Sequence, residues 1–331
     1  MRVLFVWTGL TSYMGDCWRE LVKRDSVELK VVIAVEERNA RQIDFKENDV
    51  LCGLDAVVIG DDLMPPDFGD WQPDVMFMVG WRSKVCRFYS ESPKWANVPK
   101  VCCFDMPWRW KLRCVAAPFV LRRYLRRYSA AFVPGSACER YAKWLGFWKI
   151  YRGLFGISVK RFAAVKGCAG DNGSFLYIGR NSPEKRLDVL QEGYRRYKER
   201  GGKREFRLFG KGLPGGFVAP SDVPAIFRSS AAFVLASDFD PWPLVLLEAM
   251  SAGCPVIASD RCTNRPELGK NWIVFRHGDA GDLTKALARF DTIHDFDINI
   301  MKQENVEFAS QYDCSRWANR VLGIIEDLLP S

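Results

Sequence analysis

Short, largely apolar runs recur along this chain, separated by segments long enough for one helix each. Residues 3–7, 29–34, 56–60, 75–79, 101–104 and 130–133 mark the first half. Residues 174–178, 205–209, 232–235, 255–258 and 272–275 repeat the style in the second. Unbroken rather than alternating apolarity means strands buried on both faces, which is the habit of parallel sheets covered by helices. Helices are expected over 17–23, 184–199, 223–228, 244–250 and 282–289. The second of these carries Leu187, Leu190 and Tyr194 on one stripe and stops at Gly201-Gly202. An amphipathic helix over about 315–329 closes the chain.

With 331 residues the chain has room for roughly two such domains. They are placed at 1–165 and 166–314, with the polar stretch 166–172 (KGCAGDN) as linker and the helix at 315–331 assigned to the first. Two α/β halves make the cleft between them the expected ligand site. No apolar run reaches the ~18–20 residues of a membrane span. The start, MRVLFVWTGL, reads as a first strand, not a signal peptide. Eleven cysteines lack metal-ligand spacing, so they are expected as reduced, mostly buried thiols of a cytoplasmic protein. With only two histidines, no metal cluster is visible.

The net charge is +8, and much of it sits in one place. Arg109, Lys111, Arg113, Arg122, Arg123, Arg126 and Arg127 crowd PWRWKLRCVAAPFVLRRYLRRY, interleaved with Trp108, Trp110, Phe119, Tyr124 and Tyr128. Three readings are open: a solvated basic helix face with its aromatics in the core, an interfacial surface meeting anionic lipid at the inner face of a membrane, or a nucleic-acid contact. The last is not expected here.

Four pieces of the second half carry chemistry. Gly179-Arg180 ends a strand and Lys185 follows at a helix start, so a guanidinium and an ammonium are available to a diphosphate. Gly210-Lys211-Gly212 follows the next strand, where glycine lets backbone approach a ligand. Asp240 and Glu248 flank the start of a helix. Helix starts favour phosphate, whereas carboxylates repel it and suit sugar hydroxyls. Arg265-Pro266-Glu267 lies on a loop at the same sheet edge. Together these suggest a nucleotide-sugar site.

The segment resembles the family-4 retaining glycosyltransferases of the GT-B fold. Members carry a Glu, seven residues and a second Glu, then a small-residue stop and Pro-Val. This chain has Asp240, seven residues, Glu248 and AMSAGCPV. The resemblance extends over YIGRNSPEKRLDVL, LFGKG, the Pro-Glu of Glu267 and HGDAGDLTKAL, and more faintly over FVPGSACERYAKWLGF. It implies two Rossmann-like, doubly wound domains facing a cleft, and transfer of a hexose from a UDP- or GDP-sugar to a glycan or lipid-linked acceptor in surface polysaccharide or glycolipid synthesis. No cofactor beyond that co-substrate and no metal is implied.

By the resemblance Glu248 holds the ribose and Asp240 a hydroxyl of the transferred sugar. Arg180 and Lys185 neutralise the leaving diphosphate. Gly179, Gly210, Lys211, Pro243, Leu244, Val245, Glu267 and Gly9 line the donor. The chain departs from the pattern at Asp240, a Glu in relatives, at Pro241-Trp242-Pro243, and at Phe104-Asp105, where relatives often carry His-Asp. Asp105 is the candidate for the acceptor-facing role. Asp238-Phe239-Asp240 also reads as the D-x-D with which GT-A enzymes hold Mn²⁺. A degenerate sugar-nucleotide-binding protein without activity is the reading from a different class, and a GT-B epimerase a third.

Overall fold

The computed structural model describes residues 1–35, 50–60, 64–81, 83–163, 173–262 and 272–329. The chain divides into two units, Met1–Ile157 with Cys314–Ser331, and Ser158–Asp313. The expected linker and Glu267 fall outside the described residues.

The first unit is built on a seven-stranded sheet. Its strands are β1 (Arg2–Thr8), β2 (Glu28–Val35), β3 (Ala56–Gly60), β4 (Val75–Val79), β5 (Lys100–Cys103), β6 (Ala130–Val133) and β7 (Ile150–Arg152). They pair in the order β3-β2-β1-β4-β5-β6-β7, all parallel. Alternate residues of β1 serve opposite faces, as strand geometry requires. Phe5 stacks on Phe77 at 4.7 Å and meets Trp18 and Trp317 on one side. Leu4 and Val6 join Met76, Met78, Cys86, Tyr89 and Cys102 on the other. Both faces are therefore core, which explains why the strands read as unbroken apolar runs.

The face that holds Phe5 is closed by the last helix, Cys314–Leu328, packed on the first, Ser12–Val22. Its anchor is Trp317, fully buried, whose indole N–H donates to the Leu154 carbonyl at 2.7 Å.

The second unit carries β8 (Phe175–Ile178), β9 (Phe206–Phe209), β10 (Ala232–Leu235), β11 (Val256–Ser259) and β12 (Ile273–Phe275). They pair in parallel in the order β12-β11-β10-β8-β9. In both sheets the strand order reverses beside the first strand, between β1 and β4 and between β8 and β10. Such switch points open a crevice at the carboxyl ends of the strands, where ligands of doubly wound sheets bind.

One expectation needs correction, and two elements were not foreseen. The first sheet does not end at residues 130–133: β7 adds an edge strand, too short and too polar to stand out. The helix expected over 184–199 is broken. A single 3₁₀ turn at Pro183–Lys185 is followed by Arg186 in the left-handed region (φ 49°), and the α-helix runs from Leu187 to Glu199. The helix Asp295–Ser310 was not anticipated, because only Asn305 and Ala309 of it are buried and no apolar stripe marks it.

Candidate nucleotide-sugar site

The carboxyl ends of β8 and β9 meet through two glycines. The Gly179 N–H donates to the Phe209 carbonyl at 3.0 Å. A Cβ on Gly210 would stand 2.0 Å from the Gly179 carbonyl oxygen, and its φ of 149° is one that side chains avoid. A Cβ on Gly179 would meet the Tyr177 hydroxyl at 2.6 Å, and that hydroxyl is held by donation to the Arg180 carbonyl at 2.8 Å. The glycines are thus required by close backbone approach at this edge.

Across the switch point, the turn after β8 grips the loop after β10. The Asp238 N–H donates to the Glu184 carbonyl at 2.9 Å. Arg186 Nη1 reaches Asp238 Oδ2 at 2.8 Å while its fork also holds Asp188. Lys185 Nζ donates to Asp240 Oδ2 at 2.6 Å, with both side chains largely buried (14% and 12% exposed). The strained Arg186 backbone is the conformation that lets consecutive residues, Lys185 and Arg186, both face that loop. Sequence reasoning missed Arg186, since nothing local in Glu-Lys-Arg-Leu marks a left-handed residue.

Asp240 is held from a second side. It forms a parallel bridge with Cys262, just after β11, and the Ser259 hydroxyl donates to the Ser237 carbonyl at 2.5 Å. Burial, and then the Asp240 charge, push the Cys262 thiol up to about 12, so it is no nucleophile. Both carboxylates of Asp238-Phe239-Asp240 face protein cations, so the D-x-D pattern here is an ion-pair motif in its structure.

The helix Leu244–Ser251 starts straight after this loop, with Pro243 as its flanking residue. It has no side-chain cap and no acid in its first turn, the condition in which a helix start attracts an anion. Leu244, Val245 and Glu248 are the half-exposed positions of its first turns. Glu248 Oε1 lies 3.9 Å from Arg161, another residue that the sequence did not flag.

The remaining expected residues fall less centrally. Arg180 is more than half exposed and lies 3.7 Å from Glu184. Lys211 is exposed on the turn after β9. Gly9 (φ 78°) and Asp105 belong to the first unit, after β1 and β5. Asp105 is exposed, and its carbonyl accepts from the Cys138 thiol at 3.1 Å. At the ends of β11 and β12, Asp260 accepts from both the main-chain N–H and the ring of His277, at 3.0 and 2.9 Å. Burial alone would raise the Asp260 carboxyl, but these bonds and Arg261 hold it below the usual carboxylate range.

Among the described residues no group of three or more His, Cys, Asp and Glu side chains is arranged to hold a metal ion. Nor is any helix among them long and apolar enough to cross a membrane.

Residues 172–290 match the family model described as glycosyl transferases group 1. Mannosylfructose-phosphate synthase of Agrobacterium fabrum is 32% identical over 81 residues, 24% of this chain and 16% of that protein. The matched part is thus a small fraction of that relative's length. The whole chain has the GT-B architecture. It superposes on HepE of Anabaena in complex with UDP and glucose with a TM-score of 0.65 at 14% identity, covering 99% of this chain and 100% of that one. The E. coli trehalose-6-phosphate structure bound with UDP-2-fluoro glucose gives 0.75 at 11% identity, with both chains fully covered.

Proposed function

We propose that the chain is a glycosyltransferase that moves a hexose from a UDP-sugar to a glycan or lipid-linked acceptor, in the synthesis of a surface polysaccharide or glycolipid. The observation that carries the reading is the Lys185–Asp240 pair, placed at the switch point of the second sheet beside an uncapped helix start. UDP is preferred over GDP because the GT-B neighbours described above were seen with UDP or a UDP-sugar.

In this reading the diphosphate lies against the Leu244–Ser251 helix start. Lys185 turns from Asp240 to the phosphate, and Asp240 is released to a sugar hydroxyl. The bond from the sugar anomeric carbon to the phosphate oxygen breaks with its electron pair going to the diphosphate. Lys185 and Arg180 stabilise that charge as it grows, the largest kind of catalytic term. The acceptor oxygen attacks the same face of the oxocarbenium-like sugar, with retention, and its proton passes to the departing phosphate oxygen. Glu248 binds the ribose, and protein cations take the part a divalent metal plays elsewhere.

The test is a thermal-shift screen of UDP, GDP, ADP and their sugars, in EDTA or Mn²⁺, followed by donor hydrolysis and transfer. A nucleotide at ~100 times its Kd stabilises by about 2.7 kcal/mol. We expect a shift with UDP, unaffected by EDTA and lost in Glu248→Ala. A shift that needs Mn²⁺ or an absence of any shift refutes the reading. A degenerate binding protein is the second reading, favoured by Asp240 being already engaged by Lys185; UDP-sugar binding with neither hydrolysis nor transfer would select it.

A further inference from the structure

The first unit exposes a patch that the proposed reaction does not use. The helix Leu112–Val120 is apolar nearly all round, yet only Cys114 and Ala117 face the core. A helix of that composition is normally covered. Here Leu112 is 90% exposed and Phe119 and Val120 are each 77% exposed, with Trp110 at 89% and Trp148 at 99% alongside. Trp108 joins the patch to the neighbouring helix by packing on Trp110 and Trp144 at 5.6 and 5.1 Å, and the Trp144 indole donates to the Cys114 carbonyl. Apolar groups this large and this contiguous on a folded surface mark a binding face.

The charge along this segment has one sign. Seven Lys and Arg residues lie between Trp108 and Tyr128, and no acid occurs from 106 to 138. Arg127 is drawn aside to Glu91 at 3.5 Å, but Arg113, Arg122, Arg123 and Arg126 are exposed at the rim. A cavity of about 510 Å³ opens beside the helix, lined by Phe119, Arg122, Arg126, Trp144 and Trp148 among others.

We infer that this face binds the surface of a bilayer rich in anionic phospholipid. Leu112, Phe119, Val120 and the indoles of Trp110 and Trp148 enter the headgroup–acyl boundary, where amphipathic aromatic rings are at home. The arginines meet lipid phosphates, and the cavity seats one headgroup between two guanidiniums. A nucleic acid would leave the aliphatic tips of Leu112 and Val120 without a partner. A second copy would set two strongly basic faces against each other, which like-charge repulsion opposes.

The experiment is flotation of the intact chain with vesicles of phosphatidylcholine alone or of an equimolar mix with phosphatidylglycerol. We expect flotation only with the mixed vesicles, weakened by salt. Arg122→Gln/Arg123→Gln/Arg126→Gln should lower the partition about a hundredfold, at ~1 kcal/mol per charge. Leu112→Ser/Phe119→Ser/Trp148→Ser should lower it by at least as much. These side chains are exposed, so both variants should melt like the parent. Failure of the parent chain to float with the anionic vesicles overturns the inference, as does equal flotation of neutral and anionic vesicles. So does a self-associated species that the serine variant dissociates. The donor reading is separable: Glu248→Ala should float like the parent even where it has lost UDP.

Discussion

Lys185 and Asp240 hold each other's charge in a place where water hardly reaches. Removing one partner strands the other, and a stranded charge costs more than the pair contributes. Lys185→Met should therefore lower the unfolding free energy by about 2 kcal/mol, and adding Asp240→Asn should return most of it; urea unfolding of the two variants tests this. Gly210→Ala should cost about 2–4 kcal/mol, because its Cβ meets a main-chain carbonyl that cannot give way. Asp260 predicts a pH dependence. Its folded pKa lies below the unfolded ~3.9, so its contribution is present above about pH 4 and is lost as pH falls through the folded value. Urea midpoints at pH 6 and pH 3 should thus differ less in Asp260→Asn than in the parent. At this scale the sequence displayed Lys185, Asp240, Glu248 and the two glycines, because each follows a strand end where a motif can be read. Arg161, Arg186 and the Asp260–His277 pair stayed hidden. The partners that matter, Glu248 for Arg161, Asp238 for Arg186 and His277 for Asp260, lie far off in the chain, and only the fold brings them close.

The inner strands were legible for a physical reason: they are buried on both faces and so cannot alternate. What escaped were elements whose reason to exist lies elsewhere. The edge strand β7 owes its place to the β6 hydrogen bonds it completes, and Asp295–Ser310 to the Leu244–Ser251 helix it packs on. The break at Arg186 is the same kind of miss. The helical pattern runs through it, and the Asp238 loop overrules the pattern. Glycine is the poorer choice inside a helix, but at this left-handed N-cap Arg186→Gly should be more stable than Arg186→Ala by about 1 kcal/mol. Both lose the Asp238 contact, but only alanine keeps the left-handed strain. Equal or reversed urea midpoints would show that the turn relaxes in some other way.

At the scale of the whole molecule, the first unit is made of two pieces of sequence with the second unit between them. UDP should stabilise the second unit selectively. Scanning calorimetry with and without the nucleotide should then show a shift concentrated in one part of the unfolding profile. A chain ended after Asp313 should lose the first unit's tertiary signal, since Phe5 would lack its Trp317 cover and the first helix its packing partner. That cover has a consequence for how the protein is born. A ribosome releases the first seven strands early, but the helix that seals one side of their sheet comes last. At ~5–20 residues per second, roughly 10–30 s pass before Trp317 arrives. For that interval the aromatic face of the nascent sheet has only the first helix over it, and whatever shelters the rest in the cell must let go in time for the tail to take its place.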